Sequence, residues 1–556
     1  MSLNENQDTD TLHDAHPQEK LDEKAEPSPA LDSPDLTTAE NEDDDFPHGI
    51  KLALLTLALC LSVFLVCLDS TIIATAIPKI TDQFKSLDDV GWYGSSYLLT
   101  TAATQLLFGK IYTFLPVKWV YVAAISIFEL GSLLCGVAPN SNTLIIGRAI
   151  AGLGSAGIIS GALIIVAHTV PLAKRPIYTG LVGGTYGIAS VAGPLMGGAF
   201  TDKVTWRFCF YINLPIGAVT LAVVIFLFKM PKRGQIKHEP APLRERLAQF
   251  DPIGTFVFVP AIVSLLLALQ WGGSKYAWGS GRIIALFVVF GLLISVFIGI
   301  QFWKQDTATI PPRILLKRSI WSSALYAFCV GGAFFILTFY LPIWFQAIRG
   351  VTAVHSGIDN LPMILSLVVA SLFSGIVITL VGYYTPFMIA SSVILAVGCG
   401  LISTLKIDSG HTKWIPYQFI AGVGVGLGQQ QPMLAAQAVL DLKDIPIGTS
   451  IIMFAQTLGG ALFISIGQNV FTNKLVSGLI SSVPSVSPAL VLAAGATSLK
   501  DAVPPEFLHD VLVVYNKALV SAFYVSIAMA SLSLFGALVV EWKSIKGKKM
   551  EMAVGA

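Results

Sequence analysis

Residues 180–198 read GLVGGTYGIASVAGPLMGG. None of the nineteen side chains is charged, yet seven residues are glycine and residue 194 is proline. In a water-exposed helix each interior Gly costs about 1 kcal/mol and Pro about 3 kcal/mol. The run is too apolar for a surface loop. In a bilayer the same residues make sense: small side chains let helix backbones approach closely, and Pro leaves one carbonyl without its helical partner and bends the axis. The stretch therefore predicts a membrane helix built for tight packing, kinked near Pro194. Taken alone, it fits equally a helix whose packing is its whole role.

Working outward, the rest of the chain agrees. It has 556 residues, 54% hydrophobic and 12% charged, where soluble domains carry about 25% charge. A spanning helix needs about 20 mostly apolar residues, and it satisfies its own backbone in lipid. Fourteen stretches qualify: 52–76, 90–114, 119–137, 144–170, 178–200, 208–228, 253–271, 283–303, 320–345, 356–381, 386–405, 415–440, 447–471 and 518–540. The layout is six spans, two more, then six. The predicted fold is an all-α membrane protein: an N-terminal six-helix bundle (48–228), a cytosolic loop (229–252), two extra central helices (253–303), a second cytosolic loop (304–319) and a C-terminal six-helix bundle (320–541) with an outward loop at 472–517.

The net charge of +1 conceals an asymmetry. The first 46 residues hold 15 of the 34 acidic residues and only Lys20 and Lys24, leaving 33 basic against 19 acidic residues elsewhere. Residues 1–47 read as a disordered acidic tail, and 542–556 as a basic one. The tail has no basic segment leading into a short apolar run, so no signal peptide is expected. Because cytoplasmic segments are enriched in Lys and Arg, the clusters at 174–175, 229–246, 304–318 and 543–549 place both termini in the cytosol. In the second half of 229–252 an amphipathic surface helix is expected. Cys60, Cys67, Cys135, Cys209, Cys329 and Cys399 all fall inside predicted spans and read as small core residues.

The glycine stretch carries more than packing. Its spacing, from Gly180 through Ala189 to Gly193-Pro194 and Gly197-Gly198, resembles the fifth-span antiporter motif of major facilitator superfamily exporters, with Ala189 in place of one glycine. LDSTIIATAIP at 68–78 resembles the first-span signature of the fourteen-span drug/proton antiporters, Arg148-Ala-Ile-Ala-Gly152 their fourth-span motif, and WRFCFYINLPIG at 206–217 the opening of their sixth span. Residues 340–362 and 429–460 resemble segments of fungal multidrug and secondary-metabolite pumps. The resemblance covers about 48–545. It implies the major facilitator fold and proton-driven efflux of a hydrophobic toxin, metabolite or drug by alternating access. It also implies no cofactor beyond the proton gradient, no nucleic-acid partner, a monomer in the lipid bilayer, and residence in the plasma membrane or, alternatively, the vacuole. One departure stands out. Where the family usually carries an Asp–Arg network between spans two and three, this chain reads GKIYTFLPVK at 109–118, with Thr113 and Phe114 at those places. A charge latch in that loop is therefore not expected.

Charges inside spans are expensive and mark function. Asp69, Glu129 and Arg148 are the candidates for proton coupling: burial favours a carboxylate's neutral form and a nearby Arg its charged form, so conformation can switch it. Each also has a structural reading, as a helix-end carboxylate, an interhelical hydrogen bond and a tie to backbone carbonyls, respectively. Gln105, Gln429, Gln430, Gln431 and Gln456 are candidates for the substrate path, though three consecutive glutamines cannot all face one cavity. Tyr340, Trp344 and Phe345 could stack on a flat cargo or anchor at the interface. A transporter of a defined cargo such as basic amino acids or iron chelates is the alternative; the scarcity of carboxylates in later spans counts against it. No phosphate-binding loop or nucleophile elbow occurs, so direct ATP use and enzymatic chemistry are not expected.

Overall fold

In hydrocarbon a backbone amide has no water to bond, so each apolar stretch must close its own hydrogen bonds. A computed structural model describes residues 47, 49–84, 89–228, 250–273, 276–494 and 499–546. Among them are fourteen membrane-length helical segments: α1 (Ile50–Phe84), α2 (Val90–Phe114), α3 (Val117–Val137), α4 (Ser141–Thr169), α5 (Arg175–Lys203), α6 (Phe208–Leu227), α7 (Pro252–Trp271), α8 (Gly281–Lys304), α9 (Arg318–Arg349), α10 (Val354–Val381), α11 (Thr385–Ile402), α12 (His411–Gly428 continued by Gln431–Val439), α13 (Ile445–Ser482) and α14 (Pro505–Val539). Eleven are long and apolar enough to cross a membrane on length and composition alone. The other three, α2, α5 and α12, are rich in Gly, Ser, Thr and Gln. Each lies between several neighbours, where polar and small side chains meet protein and not lipid. At the other extreme, α8 leaves Ile284, Val288, Leu292, Val296 and Phe302 uncovered, as befits a lipid-facing helix.

The helices pair with internal symmetry. In the first half α3 packs on α4 and α6, α1 on α5 and α6, and α2 on α4. In the second half α11 packs on α12 and α14, α9 on α13 and α14, and α10 on α12. Every first-half pair thus has a counterpart eight helices later. The halves meet along two seams, α5 against α10 and α2 against α13, and these are likewise counterparts. The extra pair α7–α8 leans on the α2–α13 seam from outside.

Call the terminal face the end that carries 115–116, 170–174, 382–384, 440–444 and the starts of α1 and α7. There the halves share one apolar core, in which Ile445, Ile447, Ile451 and Ile452 of α13 join residues of α1 to α5. On α13, residues 445–452 are all buried, whereas 453–458 are all half-buried. On α5, 182–184 are buried, while 185, 186 and 190–192 are half-buried. The bundles are closed at the terminal face and looser toward the opposite one.

Three details differ from the sequence reading or extend it. First, α12 is interrupted at Gln429–Gln430, because Pro432 has no N–H to return to Gly428. Second, 472–517 is largely helix: α13 runs to Ser482, short helices span Pro488–Ala494 and Leu499–Ala502, and α14 starts at Pro505. Val483, Val486, Val491 and Leu499 join the second-half core, which explains the apolar composition of this segment. Third, α5 remains a single helix through Pro194. The expected surface helix within 229–249, the acidic tail and the end of the basic tail lie outside the described residues.

Candidate functional site: a buried charge network beside a two-faced glycine helix

The glycines of α5 divide between two faces. Gly193 and Gly197, one turn apart, press on α1: a Cβ at Gly193 would meet Thr71 and stand 3.1 Å from the Ile72 nitrogen, and one at Gly197 would meet Thr75 and stand 2.6 Å from the Ile72 carbonyl. Ala189, buried in this contact, accepts a hydrogen bond from Thr71 Oγ1 at its carbonyl (3.3 Å). Gly180, Gly184, Gly187 and Gly198 face α10 across the seam. Their Cβ positions lie 3.0 Å from the Ser371 carbonyl, 3.4 and 2.7 Å from Val368 methyls and 3.2 Å from a Val354 methyl. Pro194 stands against Gly357 of the same partner helix, its Cβ 3.7 Å from where a Cβ there would lie. One helix thereby packs tightly within its own bundle and offers a smooth face to the other.

Beside the α1–α5 contact lies the charge network. Arg148 of α4 is buried, as is Asp69 of α1. Arg148 Nη1 donates to Asp69 Oδ2 in an ion pair, and its Nε donates to the Tyr93 carbonyl (2.8 Å). Its guanidinium lies 4.5 Å from the centre of the Tyr97 ring. Asn213 of α6 donates from Nδ2 to Asp69 Oδ1 (3.2 Å) and to Ser132 Oγ of α3 (3.1 Å). Both Asp69 oxygens are therefore held by donors. Three helices, α1, α4 and α6, meet at this carboxylate, and Ser132 ties α3 to it through Asn213. Asn213, Ser132, Tyr93 and Tyr97 were not flagged by sequence reasoning. The only available signal was the place of Asn213 within WRFCFYINLPIG.

Glu129 stands on α3 one turn from Ser132, so both share a face. Its carboxylate lies directly against Gly217, which is likewise one turn from Asn213 on α6. Both Glu129 oxygens are buried without a hydrogen-bond partner among the described residues. The α3–α6 contact thus runs from Asn213 and Ser132, bonded to Asp69, to an unpartnered carboxylate one turn further on. A charge left unpaired in such a place is strongly disfavoured. The structure brings the three proton-coupling candidates into one bundle but does not bond Glu129 to the Asp69–Arg148 pair.

The glutamines scatter. Gln105 is buried and donates to Ser160 Oγ (2.5 Å) and toward Met453 Sδ of the other half (3.9 Å). Gln431 is buried and donates to Ser374 Oγ (3.3 Å) and to the Leu427 carbonyl (3.0 Å) that the break in α12 frees. Gln429 and Gln430 sit in that break, half-buried, and the Gln430 amide lies against Gly183 of α5. Gln456 is half-buried in the looser part of α13, with its carbonyl and Cγ against Gly331 of α9. Gln430 thus meets the other bundle and Gln429 and Gln456 are half-buried, whereas Gln105 and Gln431 are buried and hydrogen-bonded. Tyr340, Trp344 and Phe345 are fully buried in the second-half core, where Trp344 Nε1 donates to Asn516 Oδ1 (2.8 Å). The half-buried aromatics nearer the seam are Tyr186, Phe328, Phe335 and Phe463, with Tyr186 edge-on to Phe334 across the halves (6.0 Å).

Comparison with known proteins fits this architecture. The Major Facilitator Superfamily profile matches residues 59–464. An MFS-type efflux pump of Arthroderma benhamiae is 61% identical over 505 residues, 91% of this chain and 94% of that protein. The efflux pump roqT of Penicillium rubens is 58% identical over 88% of this chain and 91% of its own length. The efflux pump aflT of Aspergillus parasiticus is 51% identical over 90% and 97%, respectively. Among solved structures, the proton:xylose symporter XylE aligns with a TM-score of 0.54 at 12% identity, over 87% of this chain and 94% of that one. The human organic anion transporter MFSD10 aligns with a TM-score of 0.53 at 13% identity, over 86% and 100%. At such identities the structural matches speak for the fold alone. The chain is a multi-pass, all-α membrane protein and belongs to the major facilitator superfamily.

Proposed function

We propose that this protein exports hydrophobic small molecules, a toxin, secondary metabolite or drug, in exchange for protons by alternating access. The observation that carries the reading is the pair of symmetric bundles, closed at the terminal face and loosened toward the other, with an ion pair buried at both ends, Asp69–Arg148, inside the first. The relatives named as efflux pumps support export over uptake. The moving bodies are 48–228 and 320–541, with 253–303 as a peripheral pair.

Within the first bundle Asp69 and Glu129 share the proton work. In the conformation seen, Asp69 is paired with Arg148 and bonded by Asn213, and Glu129 holds the proton. When the bundles rock, the α1–α5 and α3–α6 contacts shift, Asp69 loses a donor and the proton moves or leaves. Gln430 and Gln456, with Thr71, Thr75 and the seam aromatics, offer cargo a mostly apolar surface with a few polar groups. The basic clusters support cytosolic termini, and the plasma membrane is the proposed location. The functional unit is a monomer, and no cofactor beyond the proton gradient is invoked.

The test is purified protein in liposomes carrying an internal pH dye and an inside-acid gradient. Added hydrophobic toxins should trigger internal alkalinisation, and basic amino acids should not. Loss of the signal in Asp69→Asn or Glu129→Gln, with cargo binding retained, identifies the carriers. Cargo movement that is independent of the gradient in wild-type protein would overturn proton exchange.

A further inference from the structure

The loop between α2 and α3 lacks the charges that could latch the terminal face, yet that face is closed. Other charges gather there. Asp444, at the start of α13, is buried, and Arg313 grips it through both guanidinium arms, Nη1 to Oδ2 at 2.6 Å and Nη2 to Oδ1 at 2.8 Å. Arg313 Nε also donates to Asp306 (2.5 Å). Both Arg313 and Asp306 belong to the segment between α8 and α9. That segment is itself fastened to the extra helix pair. Asp251 pairs with Lys304 (2.9 Å) and accepts from the Thr309 N–H (2.9 Å) and hydroxyl (2.8 Å), and Gln301 accepts from the Ile310 N–H (2.8 Å). Arg313 therefore bridges the α7–α8 pair, which rests on α2, to the end of α13.

Facing this bridge from α2 is Lys110. It is 1% exposed, and its ammonium has no hydrogen-bond or ion-pair partner among the described residues; the Phe114 ring lies 5.7 Å away. The residue before it, Gly109, is in contact with α13, its Cβ position 2.7 Å from Ser450 Oγ and 3.2 Å from the Pro446 carbonyl. Closing α2 onto α13 thus buries a lysine that makes no direct ion pair; this desolvation opposes closure and is offset only in part by the nearby carboxylates of Asp251, Asp444 and Asp306, while the bidentate Arg313–Asp444 pair favours it.

We propose that Arg313–Asp444 and Lys110 are the two opposed arms of a gate on the terminal face, and that the segment trailing the two extra helices supplies the latch. Release of Asp444 frees the end of α13 to swing from α2, and Lys110 then gains water. The balance leaves the closed state only modestly preferred, so the cycle can reverse it.

The gate is tested on the full chain with a reporter cysteine at Ser450, buried at the α2–α13 contact, in a Cys60→Ser background; the other five cysteines are buried. The readout is its labelling rate by a water-soluble maleimide. Arg313→Gln should raise the rate by about fivefold, the upper range for a pair with one partly exposed partner. Lys110→Met should lower it, and the double variant should return toward the parent. Should Arg313→Gln fail to fold, the exchange Arg313→Asp with Asp444→Arg keeps the test: the pair restores the parent rate where Asp444→Arg alone raises it. An Arg313→Gln rate equal to the parent's, a faster rate in Lys110→Met, or an exchange pair as fast as Asp444→Arg alone overturns the proposal. Each outcome is independent of whether protons drive transport.

Discussion

At the residue scale, Asp69 joins three helices of the first bundle through Arg148 and Asn213, and these neighbours have separable roles. Arg148 balances its charge. Arg148→Met would leave a buried carboxylate uncompensated, which costs about 3–5 kcal/mol; thermal unfolding of the purified protein should show a correspondingly large fall, and Asp69→Asn with Arg148→Met together should recover part of it. Asn213 acts through Asp69 by fixing one oxygen. Asn213→Ala should keep the fold and shift the pH dependence of proton exchange, whereas an unchanged profile would make Asn213 a packing residue only. Glu129 differs again: with no donor on either oxygen among the described residues, Glu129→Gln should cost little stability while abolishing coupling. Sequence alone flagged the three charged residues but gave no way to rank them, because a partner sixty or more positions away is invisible to local pattern.

At the element scale, α5 shows why one helix can carry so many glycines. In lipid there is no hydrophobic gain from helix contact, so close approach through small residues replaces it. Gly197→Val would drive a branched side chain toward the Ile72 carbonyl and should destabilise the first bundle by about 1–3 kcal/mol, as overpacking does, read from unfolding. Gly184→Ala faces α10 at ordinary contact distance, 3.4 Å; it should leave stability unchanged and alter transport rate if that seam slides. The clamp around Asp251 is the counterpart in the extra pair. Burial pushes this carboxyl up, but Lys304, the Gly254 N–H and Thr309 together hold it below the usual carboxylate range. A depressed carboxyl contributes stability above its unfolded value, about 3.9, and the contribution fades as pH falls through the lower folded value. Acid unfolding of the parent should accordingly steepen below about pH 4, and that of Asp251→Asn should lack this steepening. The glutamine run shows the limit of pattern reading: GQQQP looked like unbroken helix, but Pro432 opens the ladder and turns Gln431 into a backbone cap.

At the scale of the whole molecule, closure at the terminal face and looseness opposite define one end of an alternating-access cycle. Cysteines replacing Gly180 and Ser371, whose backbones meet across the α5–α10 seam, should join through a short bifunctional thiol reagent and halt transport reversibly; continued transport by the cross-linked protein would show that this seam does not open. What the sequence determined was the number of crossings, the six-two-six order and the kind of protein. Those follow from hydrophobic runs long enough for a bilayer and from motifs local in the chain, such as the run of glycines ending at Gly198. What only tertiary structure decided was which charges meet, which face is shut, and what shuts it. Asp69 and Arg148 lie on separate helices, as do Arg313 and Asp444. The uncharged Thr113 and Phe114 were legible in the sequence; the pairing of Arg313 with Asp444 after α8 was not. The physical reason is that helix–helix contacts in a membrane are set by the shape and polarity of whole faces, and a face is assembled from residues three and four apart on several helices at once. Sequence order fixes each helix; only packing brings the faces together.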